Sequence, residues 1–258
     1  MTANDCGRRR RSGGSLVAPP VAHQPREMKR VVLVLGGLLL TIAALLTIIP
    51  AAAQTPPSQS DIEGYRGLHR AAHSGDVATI RKLVEEGADL EARDRAERTP
   101  LHIAAFASQD EALRVLAEAG ADLNALERRA YDIVTIAAVA DDLEMVDLSL
   151  TLGASPGNVT SPYDGTALIA AAHLGHHQVV RRLIDGGAPL DHVNNLNWTA
   201  LIEAVVLGDG GPAHVETVRA LVEAGADQTI TDREGISPLE HARARGYREI
   251  VEILEAAR

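Results

Sequence analysis

Rings are almost missing from this chain: one Phe, one Trp and four Tyr serve 258 residues. A core without rings must be filled by Leu, Ile, Val and Ala, which suits thin helical layers packed closely together. Cysteine is scarcer still, with Cys6 alone near the start. That excludes an internal disulfide, thiolate catalysis and a cysteine-based zinc site, and it fits an oxidising compartment. Positive charge is short everywhere but at the N-terminus. Residues 1–53 carry a net charge of +5 and the remaining 205 residues carry −15. An acidic body lacks the basic footprint that phosphate contacts need, so no nucleic acid partner is expected and a basic partner is weakly favoured. No Walker loop, nucleophile elbow or dinucleotide fingerprint occurs, which leaves catalysis without a visible home and implies no cofactor.

The N-terminus carries an address. Met28-Lys29-Arg30 precedes an uncharged apolar run over 31–49, followed by Pro50-Ala51-Ala52-Ala53 and a polar stretch. A basic start, an apolar run and small residues before a polar segment predict a signal peptide over 28–53, cleaved after Ala53. The run is long for a signal and approaches the ~20 residues of a membrane span. The alternative is therefore an uncleaved inner-membrane anchor, with membrane contact confined to 31–49 and the same topology, because the flanking arginines stay inside. Residues 1–27 read as a disordered extension upstream of the true start, and 54–62 as a linker.

What the sequence has in quantity is repetition. Leu68, Leu101, Val134, Leu168, Leu201 and Leu239 follow one another at steps of 33, 33, 34, 33 and 38 residues. Gly87-Ala88-Asp89, Gly120-Ala121-Asp122, Gly153-Ala154, Gly187-Ala188 and Gly225-Ala226-Asp227 keep the same rhythm. Thr99-Pro100-Leu101-His102-Ile103-Ala104-Ala105 carries the fullest motif. Degraded copies stand at Leu68-His69-Arg70-Ala71-Ala72, Thr166-Ala167-Leu168, Thr199-Ala200-Leu201 and Ser237-Pro238-Leu239. The pattern resembles the ankyrin-repeat family over nearly all of 63–258. That resemblance implies an all-α repeat solenoid, a curved stack of about six helix-turn-helix units with β-hairpin loops. The units fall near 64–94, 95–127, 128–160, 161–194, 195–232 and 233–258.

Local chemistry agrees with this division. Thr99 is suited to cap a short helix that Pro100 opens, and Gly75, Gly175 and Gly246 are suited to end first helices in the left-handed conformation. Three departures stand out. The first unit has Arg66-Gly67 where Thr-Pro belongs. The third has Asp132-Ile133 there, and Ala140-Asp141-Asp142 without a glycine, so it is expected to be the least regular. The fifth carries about five extra residues near Gly208-Asp209-Gly210-Gly211-Pro212, expected as a loop between its helices.

The resemblance also implies where a partner binds: at hairpin tips and on the exposed face of first helices. The hairpin row is then Tyr65, Arg98, Tyr131, Trp198 and Ile236. The helix row is His73/Ser74, Phe106/Ala107, Val139/Ala140, His173/Leu174 and Val206/Leu207. Four of the six aromatics fall in these rows, and aromatic anchors dominate many interfaces. The alternative for Trp198 and the tyrosines is packing against the adjacent hairpin. His173, His176 and His177 straddle a helix end with no carboxylate at a recognised ligand spacing, so no metal is expected. His69 and His102 are expected to hydrogen-bond the backbone of a neighbouring hairpin. The expected function is a monomeric, non-catalytic scaffold, periplasmic or secreted, that binds one protein partner. Two alternatives are a regulator or stabiliser of a periplasmic enzyme, and a secreted effector that binds host proteins.

Overall fold

The computed structural model describes residues 54–257. The extension, the signal or anchor with its 31–49 run, and the +5 charge therefore lie outside the described residues. A short leading helix, α1 (Gln59–Gly64), precedes six helix pairs. In chain order these are α2 (Gly67–Ser74) with α3 (Val77–Glu85), α4 (Pro100–Phe106) with α5 (Asp110–Glu118), and α6 (Ile133–Val139) with α7 (Leu143–Thr151). They continue as α8 (Ala167–Leu174) with α9 (His177–Asp185), α10 (Ala200–Val206) with α11 (Pro212–Glu223), and α12 (Pro238–Arg245) with α13 (Arg248–Ala256). First helices pack on first helices and second on second, so two parallel rows run the length of the stack. No strand forms among the described residues; the hairpins are turns, with one isolated bridge between Thr160 and Gly165. No helix among the described residues is long and apolar enough to cross a membrane.

Each pair forms for local reasons. The Thr99, Thr166, Thr199 and Ser237 side chains each accept the amide three residues on, which satisfies a donor left orphaned at the helix start. Leu101, Leu168 and Leu201 are fully buried, and the alanines beside them let adjacent repeats approach. A single pair cannot bury its apolar face, and stacking joins all six into one core. Between repeats, side-chain acceptors tie successive turns together: Asp122 N donates to Glu91 Oε1 at 2.8 Å, Ser155 N to Asn124 Oδ1 at 2.9 Å, and Asp227 N to Asp191 Oδ1 at 2.8 Å.

The third unit is more regular than its sequence suggests. Asp132 caps α6 by accepting from Thr135 N at 2.8 Å, so a carboxylate does the work of threonine. Asp141 takes the left-handed conformation (φ 56°) that glycine would supply, and Ser108 does the same in the second unit (φ 48°). Its irregularity lies in its outgoing hairpin, where Thr160 to Gly165 closes a longer turn.

The insertion in the fifth unit is only partly a loop. α11 starts at Pro212 and runs 12 residues, against nine in every other second helix. The remaining turn is fastened down: Tyr247 Oη donates to Gly208 O at 2.9 Å, while His214 contacts Asp209 Oδ1 at 3.0 Å and donates from Nε2 to His173 O at 3.1 Å. Gly210 sits at φ 70°, and a Cβ there would overlap the Tyr247 ring. Gly210→Ala is expected to cost ~1–3 kcal/mol through this overlap and the left-handed backbone. A urea titration beside the wild type measures it, and an unchanged midpoint would show that the Tyr247 contact is dispensable.

Candidate functional site

The hairpins and first helices form one face, and the residues expected to line it separate into three groups. Tyr65 (6% exposed), Arg98 (4%) and Tyr131 (6%) are closed to solvent. Each stands immediately before a helix cap, where the chain turns inward beneath the next hairpin, and packing describes the two tyrosines. Tyr65 Oη donates to Asp94 Oδ2 at 2.9 Å, and burial followed by this bond raises its pKa well above the ordinary value. The Tyr65 ring lies beside His69 and His73, with centroids 5.5 and 6.4 Å away. The Arg98 guanidinium stands 5.9 Å from the Phe106 centroid, inside cation–π range.

A second group is half-buried along the first-helix row: His73, Phe106, Ala107, Val139, His173, Trp198 and Val206. The third is open. Leu174 is 40% exposed and Leu207 44%, with Ile236, Ser74 and Ala140 also exposed. Partly exposed apolar side chains thus continue along the row from α4 to α10.

Two features escaped the sequence expectations. Leu126, Val159 and Val193 are exposed at the same place in three successive hairpins, six residues past the Gly-Ala turn, and Tyr163 and Leu196 flank them. Their register was readable, because an apolar residue recurs where the first hairpin has Arg93 and the last Thr231. The other feature is Glu203, buried at 4% exposure in the register of Ile103, Ile136 and Ala170. Its Oε1 accepts from Asn194 Nδ2 at 2.9 Å, and its Oε2 lies 3.2 Å from His173 Nδ1. Asn194 Oδ1 also accepts from Trp198 N at 3.0 Å, so one amide holds the hairpin and the carboxylate together.

The histidines take separate partners. His69 Nε2 donates to Arg98 O at 2.9 Å and His102 Nε2 to Tyr131 O at 3.2 Å, the hairpin bonds expected of them. His102 Nδ1 faces the Thr99 amide and hydroxyl, and burial pushes its pKa down to about 4. Thr135 replaces this histidine in the third unit and meets Thr160 hydroxyl to hydroxyl at 3.0 Å. In the His173/His176/His177 segment, His173 faces Glu203 while His176 Nδ1 donates to Ala138 O at 2.9 Å. Among the described residues no three His, Cys, Asp or Glu side chains gather as metal ligands would.

This geometry has close relatives. A crystallised ankyrin repeat domain from Acinetobacter baumannii AYE is 41% identical with a TM-score of 0.70, over 74% of this chain and 96% of that one. The ankyrin repeat protein EF0377 is 32% identical with a TM-score of 0.69, over 74% and 98%. The ankyrin repeat protein YahD of Escherichia coli (strain K12) is 38% identical over 112 residues, 43% of this chain. The chain spans only 56% of YahD's own length. The family model for ankyrin repeats in three copies matches residues 38–127 and 134–232. With the six stacked pairs, the capped first helices and these matches together, the chain belongs to the ankyrin-repeat family.

Proposed function

We propose that this protein is a non-catalytic scaffold that binds one protein partner outside the cytoplasm. Ankyrin repeats generally mediate protein–protein interaction and are generally non-catalytic. The observation that carries the reading is the row of incompletely buried apolar side chains, Phe106, Val139, Leu174, Trp198, Val206 and Leu207, on the hairpin and first-helix face. Apolar surface left open in register across several repeats is what a partner's own apolar residues would cover. The acidic body favours a partner of opposite overall charge. Export is read from Met28 to Ala53, whose basic start, apolar run and small residues support delivery across the inner membrane.

Two measurements test the proposal. Cell fractionation with N-terminal mass spectrometry is expected to find a chain beginning at Gln54 in the periplasm, or an uncleaved chain in the inner membrane. A soluble cytoplasmic chain that keeps 28–53 would overturn export. The double change Leu174→Asp/Leu207→Asp is expected to weaken partner binding at least ~100-fold, since two open apolar contacts become buried charges. Unchanged affinity, measured by calorimetry on a variant with normal circular dichroism, would move the interface elsewhere.

A further inference from the structure

The chain itself touches the hairpins of the first three repeats at two points. Residues 54–58, with Pro56 and Pro57 among them, have no regular structure and lead into α1. Two contacts on successive hairpins hold this segment. Asp61 Oδ2 lies 3.7 Å from Arg98 Nη2, and Arg129 Nη1 donates to Thr55 Oγ1 at 3.2 Å. Asp61 is kept ionised, because the Ser58 hydroxyl and amide both hydrogen-bond its carboxylate and hold it below the usual carboxylate range.

Arg98 is not well served by this arrangement. Its side chain is 5% exposed, and a buried guanidinium is costly unless paired and hydrogen-bonded. Asp94 and Asp61 stand 3.6 and 3.7 Å away, too far for hydrogen bonds, and Nη1 reaches Tyr65 Oη only at 3.5 Å. Nε has no hydrogen-bond partner. A fork suited to a bidentate carboxylate at ~2.7–2.9 Å receives none. Beside it a cleft of about 530 Å³ opens between α1 and the hairpin, lined by Ser60, Asp61, Tyr65, His69, Arg93 and Arg95. Five arginines, at 93, 95, 98, 128 and 129, stand on two successive hairpins, interleaved with Asp94, Glu97 and Glu127.

We propose that Arg98 anchors a recognition site for an acidic, extended segment of the protein partner, and that residues 54–61 are a strap occupying the site in the free protein. The inference rests on the scaffold reading and adds the chemistry of what binds at this end. The strap is the template: a hydroxyl near Arg129, two prolines that favour extended chain, and a carboxylate at Arg98. A partner carboxylate that reaches Arg98 with both oxygens displaces Asp61, which touches it only at a distance.

The probe is a fluorescein-labelled peptide with the sequence of residues 54–64, QTPPSQSDIEG, added to the full chain and to the full chain carrying Asp61→Asn. Fluorescence anisotropy is expected to show binding to Asp61→Asn at least ~10-fold tighter than to the wild type, whose site is filled. The tight binding is expected to disappear when the peptide's own Asp becomes Asn, and when Asp61→Asn is combined with Arg98→Lys, which keeps the charge but loses the fork. Hydrogen exchange at residues 58–65 should be slow in the wild type and fast in Asp61→Asn. Equal affinity for both chains, binding to neither, or indifference to the peptide carboxylate would overturn the proposal. If the strap exchanges freely in the wild type while a partner still binds through Leu174 and Leu207, the strap fails and the scaffold survives.

Discussion

Leu101→Ala is expected to lower the free energy of unfolding by ~2–5 kcal/mol, among the largest effects of any single replacement here. Leu101 is 1% exposed in α4, which packs between α2 and α6, so truncating it opens a cavity shared by three repeats. In a linear array each repeat is stabilised by its neighbours, and the loss weakens two interfaces at once. Arg95→Ala is the control: an exposed hairpin side chain, expected to stay within ~0.5 kcal/mol. Urea titrations of the two variants separate the layers of the stack. Equal midpoints would mean that the inward and outward positions of this repeat have been confused.

The second large effect is a dependence on pH. His102 is buried with its Nε2–H on the Tyr131 carbonyl and its Nδ1 toward Thr99, an arrangement for neutral imidazole, and its pKa is pushed down to about 4. In the unfolded chain the ring titrates near its ordinary value of ~6.5. Between these two values the unfolded state binds the proton and the folded state does not. The stability associated with neutral His102 is therefore fully present above pH ~6.5 and is lost as pH falls toward ~4, a loss of about 3 kcal/mol. Asp132 acts in the opposite sense, because burial raises its pKa and favours the fold at low pH. The His102 contribution is accordingly read as a difference. Stability curves between pH 4 and 7 for the wild type and His102→Gln are expected to converge as pH falls. Parallel curves would show that the imidazole is not what titrates.

The repeat period, the caps and the helix-ending glycines were legible because each depends on residues within one turn of the chain. Thr99 caps its own helix, and Gly75, Gly175 and Gly246 adopt the left-handed conformation expected of them (φ 67°, 73° and 73°). Substitutes were harder to read. Asp132 and Asp141 look like departures, yet they fill the roles of threonine and glycine, since a carboxylate can cap and an aspartate can tolerate positive φ.

The site was less legible because exposure depends on the neighbouring repeat. Tyr65, Arg98 and Tyr131 occupy hairpin positions that pattern alone places on the surface. Contacts from the hairpin that ends the same unit, such as Asp94 on Tyr65, draw them inside. Leu174 and Leu207 occupy the equivalent helix ends and stay open. Residues 54–58 read as a linker because proline, serine and glutamine carry no apolar pattern. Their attachment depends on Asp61 meeting Arg98 across a repeat, a contact that no local rule predicts.

The most direct test of the scaffold reading is affinity capture from periplasmic extract of the native host. Residues 54–258 serve as bait beside the same chain carrying Phe106→Ala/Trp198→Ala. One protein held stoichiometrically by the wild type and lost by a variant that still melts cooperatively is the predicted result. Retention by neither chain, or equal retention by both, would contradict binding through the hairpin and first-helix face.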